Sequence, residues 1–572
     1  MNNKRILYLA LPAILAITPL NSYAQGIEIT AGGTVAITGD ATIDISNGGI
    51  INNGTYTKGT ETVTISGTTA GSISGTSTTT INNLTINPGA KLNLNAATSL
   101  NATLFTIKSD INGTGTFIND GTTVFGTTNV EQFLTGSGGA TPNGRGYYIS
   151  SPVATATSGV FTASGGNGLF YHTESAAGNG YTEITADNAW LSPMKGYVIR
   201  VGTSQVYTFA GGDLNNNATY TTSSMSKTTA AGTRRGFHLI GNPYPSFLNW
   251  NTAIDVATKD VSTSNISTTI YYRTVNGSNV HVFDTYNAAN FEGTNANGSG
   301  AVTRYIAPMQ AVWVRVDGAD GSTGTLVFNK SMREHQSGAT LRSTEVSDKQ
   351  SVRLRVSNGT NEDETILLFS PKALDELDAW DSPKMFNNNT AIPEIYTFAG
   401  NEKVVINGMT EKALDKELLL GFKTGKAGTF SIRLSENSLL DGSYIMLKDK
   451  LLNKQQNLTE IPVYEFYSDI AESDSRFTLA VSKNATALDA EVMEPSFQVY
   501  QSNKNEVTVR INGPMKPNSR VSIYNTLGQR IITSPIVSEE TVLNILSNPG
   551  VYLISVETGG RKSVSKLVIN NL

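Results

Sequence analysis

Few residues in this sequence have the type and spacing that catalysis or metal binding requires. The four histidines, His172, His238, His281 and His335, are far apart, and none is paired at the spacing of metal ligands. The run at residues 421–426 lacks the length of a phosphate-binding loop and the Ser or Thr that follows its lysine, and there is no Gly-x-Ser-x-Gly elbow. The sequence therefore predicts no catalytic residue, no metal site and no cofactor.

Two segments come closest to a site. The first is a cluster of four residues: Asp375, Glu376, Asp378 and Asp381. A glycosidase needs two carboxylates at a fixed separation across a cleft, which neighbours in sequence do not provide, so we favour a solvated turn. Residues 373–380 are the best candidate for a short helix or helical turn. The second segment begins at Asp213 like a calcium loop but has Ala218 where Gly is needed and Ser224 in place of the closing Glu.

Length and composition indicate several β-rich domains. The chain has 572 residues, which is too long for one ordinary core. The formal net charge is only -5, so the sequence offers no electrostatic footprint for nucleic acid. Cysteine is absent, which excludes disulfides and a cysteine nucleophile, and the 54 glycines indicate many turns between short strands.

The first 24 residues have the pattern of a secretory signal peptide. Lys4 and Arg5 precede an apolar core at residues 6–17, and small residues precede a cleavage position between Ala24 and Gln25. A retained membrane anchor is the less favoured alternative because the apolar run is short for a span. We expect a mature chain that begins at Gln25 and has no membrane span.

Residues 25–134 predict a parallel β-solenoid. Apolar residues recur in pairs two positions apart, with Thr, Asp or Asn between them, and Gly or Asn turns separate the short strands. The pairs are Ile27 with Ile29, Val35 with Ile37, Ile43 with Ile45, Val63 with Ile65, Leu84 with Ile86, and Leu92 with Leu94. Such short strands bury their apolar face only when they stack as rungs. An irregular β-sandwich is the alternative.

Residues 135–340 contain an internal repeat. The run Arg-Gly-Tyr-Tyr-Ile-Ser-Ser-Pro at 145–152 is echoed by Arg-Gly-Phe-His-Leu-Ile-Gly-Asn-Pro at 235–243, with one extra residue before the proline. A second block at 190–201 is echoed at 305–316. Two blocks in the same order predict two copies of one supersecondary unit, built into one large antiparallel β-sandwich or two adjacent ones.

The run Gly-Asn-Pro-Tyr-Pro-Ser-Phe-Leu-Asn-Trp at 241–250 is the most distinctive motif of the repeat. It resembles a segment of large secreted Bacteroidetes surface proteins. Two prolines fix the loop, and its aromatic residues can wedge it against the neighbouring sheet. Tyr244 and Trp250 are candidates for stacking on a carbohydrate ligand, although packing is the favoured interpretation.

Residues 351–483 predict a further β-sandwich module, with polar linkers at 339–350 and 484–496. The run at 352–356 alternates, and the run at 365–369 is continuously apolar, as in a buried strand. Residues 497–572 predict a small Ig-like antiparallel β-sandwich, because each apolar run there is closed by Gly, Asn or Pro. The fold class is therefore all-β throughout.

Three runs in this last segment carry a resemblance to the C-terminal sorting domain of type IX secretion cargo in Bacteroidetes. They are Val-Ser-Ile-Tyr-Asn-Thr-Leu-Gly-Gln at 521–529, Gly-Val-Tyr-Leu-Ile-Ser-Val at 550–556 and Lys-Leu-Val-Ile at 566–569. The residues that match the family's pattern are Tyr524, Asn525, Gly528, Gln529, Gly550, Tyr552 and Lys566. The chain departs from many members in ending on Asn-Asn-Leu instead of a basic residue.

The resemblance implies that the outer-membrane machinery of type IX secretion reads this domain. It also implies that the domain can be removed on export and exchanged for a lipopolysaccharide-type anchor. The sequence thus predicts a non-enzymatic, adhesin-like or structural protein that is secreted or held at the outer cell surface after periplasmic transit. A glycan-binding module that uses Trp190, Trp250 or Trp313 is the alternative, and a polysaccharide hydrolase is a weaker one. A protein ligand also remains open.

Overall fold

The fold is taken from a computed structural model. It describes residues 7–9, 14–17, 21–137, 145–162, 168–176, 178–255, 260–261, 265–278, 280–296, 298, 302–336, 349–439, 443–482, 496–512, 519–545, 549–558 and 561–569. The described part of the chain divides into two compact units. One consists of residues 1–413, 418–439 and 463–474, and the other of residues 414–417, 440–462 and 475–572.

The first unit begins with strands that are mostly short and follow one another after tight turns. They are β1 (Leu7–Leu9), β2 (Ile14–Ile17), β3 (Asn21–Ile29), β4 (Thr34–Ile37), β5 (Thr42–Asn52), β6 (Thr55–Thr57), β7 (Thr62–Ser66), β8 (Gly71–Ser74), β9 (Thr79–Ile86), β10 (Lys91–Leu94), β11 (Ser99–Ile107), β12 (Ser109–Asp110), β13 (Gly113–Thr114), β14 (Thr116–Asn119) and β15 (Thr122–Leu134).

These strands stack as a parallel β-solenoid, as predicted. Ile43 pairs with Val63, Val63 with Leu84, and Leu84 with Phe105, so one turn of the solenoid takes about 20 residues. All four side chains are buried in one continuous core, which also holds every apolar pair that the sequence predicted to point inward. The first three apolar pairs follow one another at intervals of eight residues because they lie on successive sides of one turn of the solenoid. The sandwich alternative for this region is wrong.

A continuous set of strands follows the solenoid: β16 (Arg145–Ile149), β17 (Leu169–His172), β18 (Tyr181–Glu183), β19 (Tyr197–Val201), β20 (Gln205–Gly211), β21 (Thr219–Thr221), β22 (Met225–Ser226), β23 (Phe237–Gly241), β24 (Phe247–Asn249), β25 (Ile254–Asp255), β26 (Asp260–Val261), β27 (Thr269–Val275), β28 (His281–Asn287), β29 (Glu292–Gly293), β30 (Tyr305–Ile306), β31 (Ala311–Arg315), β32 (Thr323–Gly324), β33 (Val327–Asn329) and β34 (Arg333–Glu334). Two single-turn helices, α1 (Gly159–Thr162) and α2 (Trp250–Ala253), and 3-10 turns at Thr229–Arg234 and Lys330–Met332 accompany them.

The two predicted copies form two adjacent antiparallel sheets. One has the order β16-β19-β17-β18, and the other has the order β23-β31-β27-β28-β29. Counted back from the proline of each copy, Ile149 corresponds to Ile240, and their partners Tyr197 and Val312 also correspond. The registers of the two copies are therefore the same, and the extra residue of the second copy lies at the start of its strand.

The copies also pair with each other reciprocally. Met194 and Met309 occupy the same turn in each copy with φ of 59° and 57°. The Gly241 amide donates to the Met194 carbonyl at 2.8 Å, and the Ser150 amide donates to the Met309 carbonyl at 2.9 Å. Two single-residue bridges repeat this exchange: Ile149 with Gln310, and Lys195 with Ile240. Each contact occurs twice, with the roles of the two copies exchanged. The copies are therefore paired about a local twofold axis.

The first unit continues with β35 (Gln350–Ser357), β36 (Glu362–Phe369), β37 (Ser382–Pro383), β38 (Glu394–Ala399), β39 (Glu402–Met409), a 3-10 turn at Glu411–Ala413, all of β40 (Glu417–Thr424) except its first residue, β41 (Gly428–Asn437) and β44 (Val463–Ser468). Within this unit they form a sheet of order β44-β41-β35-β36-β39-β38-β40. On β35, Val352, Leu354 and Val356 are buried on one face. Arg353 and Arg355, which alternate with them, form ion pairs with the buried carboxylate of Glu364 at 3.3 and 3.2 Å.

The helix expected within residues 373–380 is not formed, and these residues make turns and bends. The side chain of Asp378 accepts from the backbone amides of Leu374 at 3.0 Å and Trp380 at 2.7 Å. Asp381 accepts from the amides of Asp378 and Gly408, each at 2.8 Å. Aspartate side chains that accept hydrogen bonds from backbone amides in this way stabilise a turn in place of a helix. The linkers predicted at 339–350 and 484–496 lie almost wholly outside the described residues.

The second unit holds β42 (Tyr444–Asp449), β43 (Lys454–Asn457), most of β45 (Ala471–Ser482) and the C-terminal strands. Those strands are β46 (Ser496–Asn503), β47 (Glu506–Asn512), β48 (Arg520–Tyr524), β49 (Arg530–Pro535), β50 (Glu540–Asn544), β51 (Gly550–Thr558) and β52 (Arg561–Ile569). They form two antiparallel sheets, of order β46-β47-β50 and β49-β48-β51-β52. Their inward residues share one apolar core, so the C-terminal segment is a β-sandwich, as predicted.

Candidate functional site

The Tyr-Asn-x-x-Gly-Gln run forms the turn of the hairpin between β48 and β49. The side-chain oxygen of Asn525 accepts from the amides of Leu527 at 3.1 Å and Gln529 at 2.9 Å, and its amide group donates to the Gln529 side chain at 2.9 Å. Gly528 has φ of +79°, a conformation that other residues rarely adopt, and its amide donates to the Asn525 carbonyl at 3.0 Å. The residue types at these positions are therefore those that this turn requires.

The other predicted motif residues lie on the adjoining strands. Tyr552 is buried in the core of the sandwich, and Gly550 opens β51. Tyr524 pairs with Leu553, and Leu553 pairs with Lys566, so these three residues form one row across three strands. Residues opposite each other in an antiparallel sheet point to the same face, and the inward face is taken by the core. The fold thus brings Tyr524 and Lys566 to the outer face.

The outer face of this sheet combines apolar and basic side chains, which the sequence did not single out. Val564 and Val568 on β52 are more than half exposed, and Leu553 is also exposed. The Lys562 ammonium lies 5.6 Å from the centre of the Tyr524 ring. Exposed apolar residues beside cations are a feature of surfaces that contact other molecules. No apolar–polar alternation along β52 could have revealed them, since the Ser-Val-Ser stretch at 563–565 would predict Val564 to point inward.

Tyr244 and Trp250, the candidate ligand-stacking residues, are fully buried. The Tyr244 hydroxyl donates to the Asn217 carbonyl at 3.0 Å, and the Trp250 indole donates to the Thr268 carbonyl at 2.8 Å. Burial raises the pKa of Tyr244 well above its usual range. Both rings pack in the core of the second copy, so neither offers a free face to a sugar.

The loop that carries these aromatics holds the second copy against the last turn of the solenoid. The Asn242 side chain donates to the carbonyls of Ser246 at 2.7 Å, Ala307 at 3.0 Å and Ile306 at 3.2 Å, which fixes the loop. The Pro245 carbonyl then accepts from the Phe117 amide of β14 at 2.9 Å. The loop is a structural clamp.

Arg333 is the second part of this clamp. Its guanidinium is buried and donates to the Asn119 carbonyl at 3.0 Å and to the Asn216 side chain at 3.1 Å. It also forms an ion pair with Asp120 and lies 5.5 Å from the centre of the Tyr244 ring. A buried arginine that is satisfied by several acceptors ties separate segments together. No local pattern in the sequence indicates this role.

Trp190 differs from the other tryptophans. Its side chain is 59 % exposed, whereas Trp250, Trp313 and Trp380 are buried. The Trp190 indole donates to the Ala154 carbonyl at 2.8 Å, which fixes the orientation of the exposed ring. Among the tryptophans, the structure therefore leaves Trp190 open to a ligand. Its exposure has no signature in the surrounding sequence.

The side chains that could act in acid–base catalysis or bind a metal ion either lie far apart or are hydrogen-bonded to neighbouring residues. Within the described residues no group of three His, Asp or Glu side chains is placed to hold a metal ion. His335 contacts Thr116 at 2.7 Å and Asn93 at 3.1 Å, and burial lowers its pKa to about 4. Burial raises the pKa of Asp381 to about 8, but its carboxylate takes up two backbone amides. Asp375 likewise accepts from the amide and hydroxyl of Thr410.

The predicted signal-cleavage position lies within β3, where Ala24 pairs with Ile45 of β5. Residues 1–6, 10–13 and 18–20 lie outside the described part of the chain. None of the helices that the structure describes is long and apolar enough to cross a membrane. Cleavage between Ala24 and Gln25 stays a prediction.

Comparison with known families divides the chain in two. Residues 53–480 match the family described as "Domain of unknown function (DUF8693)", and residues 503–570 match the "Secretion system C-terminal sorting domain". One solved structure, described as "Biofilm associated protein - BSP domain", is 10% identical and covers 75% of this chain and 90% of its own. Its TM-score of 0.13 is too low to support an argument about fold or function. No curated protein matches the chain.

Proposed function

Because the chain belongs to the family described as a domain of unknown function (DUF8693) and is type IX secretion cargo, we propose that it is a non-enzymatic surface protein of adhesin-like or structural type. It is delivered through its C-terminal domain and is held at the outer surface or released. The observation that carries the export step is the sorting-domain match at residues 503–570, where the motif residues form a folded hairpin and strand row.

The row of Tyr524, Leu553 and Lys566 supports recognition of this domain by the outer-membrane machinery. Asn525, Gly528 and Tyr552 have partners inside the domain, so their residue types serve folding first. Tyr524 and Lys566 face outward and are available to a partner. The protein would leave the periplasm by contact at this outer face.

Cell fractionation tests the export step. Deletion of residues 497–572 should leave the protein in the periplasm, and normal surface display of the truncated chain would contradict the proposal. Lys566→Ala should lower surface display without unfolding the domain. Lys504→Ala, at an exposed turn between β46 and β47, is the matched control and should be displayed normally. Equal display of both variants would show that the outer face is not what the machinery reads.

A second candidate function, glycan binding, rests on Trp190. A fixed, exposed indole ring is a suitable platform for the apolar face of a sugar. Trp190→Ala should weaken binding of the purified protein on a glycan array, and Trp190→Phe should retain part of it. Absence of binding by the unaltered protein removes this candidate. Product release from a polysaccharide panel would contradict the non-enzymatic assignment.

A further inference from the structure

The two ends of the solenoid are closed in different ways. At the C-terminal end, β20 pairs antiparallel with the last strand, from Thr128 with Gly211 to Leu134 with Gln205. At the N-terminal end, the first turn is covered by parallel pairing of β1 with β3 and of β2 with β4. The cover at the N-terminal end therefore consists of residues that belong to the predicted signal peptide.

Cleavage after Ala24 would uncover all three sides of the first turn together. The strand at residues 27–29 would lose its three paired positions with β1, and β4 would lose its four with β2. The first part of β5, residues 42–45, would lose its pairing with residues 21–24. The unpaired backbone groups of such an edge are a template for another strand.

The edge that cleavage exposes lacks most of the devices that prevent strand addition. Its one irregularity is a register shift between Ala24 and Gly26, at the new N-terminus. Residues 25–57 contain no lysine, arginine or proline. Proteins that keep an edge free place lysine, proline or a bulge on it, and terminal turns of solenoids normally carry a polar cap. Three carboxylates are present. Asp40 lies in the exposed bend between β4 and β5, where it accepts from the Thr60 hydroxyl of the next turn. Glu28 and Asp44 alternate with buried isoleucines and so point sideways from the turn instead of along the solenoid axis.

We infer that the uncovered N-terminal edge of the mature solenoid pairs with the same edge of a second copy of this chain. A second chain is the occupant because each chain has one open solenoid end. The other end is covered by β20, which pairs with β15, and by the loop at Pro245, which bonds to Phe117 of β14. Two identical open ends that meet about a twofold axis cover each other and leave no edge for further growth. The inference depends on the removal of residues 1–24, which is the cleavage predicted from the sequence between Ala24 and Gln25.

The pairing of β4 with β6 shows which backbone groups of β4 would bond to the second chain. The Gly33 carbonyl, directly before β4, accepts from the Thr55 amide of the next turn. In a parallel ladder every second residue bonds to the same neighbouring strand, so Val35 and Ile37 of β4 also bond to the next turn. Bonding alternates along a strand, and Thr34 and Ala36 therefore present their amides to the open edge. Val35 and Ile37 are buried, so the Ala36 side chain points outward. Proline at position 36 would remove an edge donor and leave the bonds to the next turn in place.

The mass of the purified protein in solution tests the inference. The chain that starts at Gln25 should elute as a dimer in size-exclusion chromatography with light scattering. The whole chain, produced where no signal peptidase acts, should be a monomer. Ala36→Pro in the shorter chain should halve the mass with unchanged circular dichroism, and Ala36→Thr, which keeps the amide, should remain dimeric.

Several results would overturn the inference. They are a monomeric chain at about 100 µM, open-ended oligomers, equal dimerisation with and without residues 1–24, and a dimer that survives Ala36→Pro. Hydrogen exchange should slow at residues 34–37 in the dimer, and a partner surface elsewhere would leave it unchanged. These measurements need no export, so a failure of the fractionation experiment would not affect them.

Discussion

Replacement of Arg333 by methionine should loosen the attachment of the second copy of the internal repeat to the solenoid of the same chain. Methionine keeps most of the apolar stem, so the cavity that it leaves is small. The guanidinium, however, donates to the buried Asn119 carbonyl and the partly buried Asn216 side chain. A hydrogen bond to a charged group contributes about 1.5 kcal/mol or more, so the loss of two amounts to about 3 kcal/mol of local stability.

Hydrogen exchange measured by mass spectrometry is the assay, because local opening reports on this attachment without requiring the whole chain to unfold. The Phe117 amide, which donates to the Pro245 carbonyl, is the reporter. A loss of about 3 kcal/mol corresponds to exchange that is about 100-fold faster. Peptides that cover β9, in the middle of the solenoid, should exchange at the original rate.

Asp120→Asn is the matched control. The Asp120 side chain is 52 % exposed, and an ion pair with so accessible a partner contributes about 1 kcal/mol or less. The asparagine variant should therefore change exchange at Phe117 less than about tenfold. Equal effects of the two variants would show that the ion pair, and not the buried acceptors, holds the segments together. Unchanged exchange in Arg333→Met would refute the clamp altogether.

Three further outcomes follow from burial. Trp250→Ala should destabilise the protein by about 3–5 kcal/mol, seen as a lower midpoint of thermal unfolding, and Trp190→Ala should leave that midpoint almost unchanged. The lowered pKa of His335, about 4 against about 6.5 in the unfolded chain, means that its contribution to stability is complete above pH 6.5 and is lost as the pH falls towards 4. The difference in midpoint between the protein and His335→Gln should narrow over that range. Asp381→Ala should unfold its loop and expose the Gly408 amide to exchange, whereas Asp375→Ala, at an exposed position, should have a smaller effect.

The solenoid could be predicted because the sequence pattern that specifies it lies within each short strand. An inward residue at every second position, such as Ile43 and Ile45, states which face is buried, and short strands with one buried face have to stack. The two copies were visible because both blocks repeat in order. The equal register of Ile149 with Tyr197 and of Ile240 with Val312 follows from that repeat.

The clamp and the exposure of the aromatics could not be predicted because they depend on residues far apart in sequence. Arg333 meets Asn119, which precedes it by more than two hundred positions, and nothing near either residue indicates the contact. Trp190 and Trp250 both have polar residues close by in the sequence, yet only the second is buried. The helix expected within residues 373–380 failed for a different reason, since Asp378 and Asp381 take up the backbone amides that a helix would have used.

The C-terminal motif shows why a resemblance identifies a domain better than it identifies a recognition surface. Asn525 and Gly528 are recognisable because one tight turn accepts few other residues, so they mark the fold. An export defect in an Asn525 variant would follow from a misfolded hairpin as readily as from lost recognition. Lys566 has no such structural constraint on the outer face, and its replacement separates the two causes. The export assay is therefore informative only when a folding measurement accompanies each motif variant.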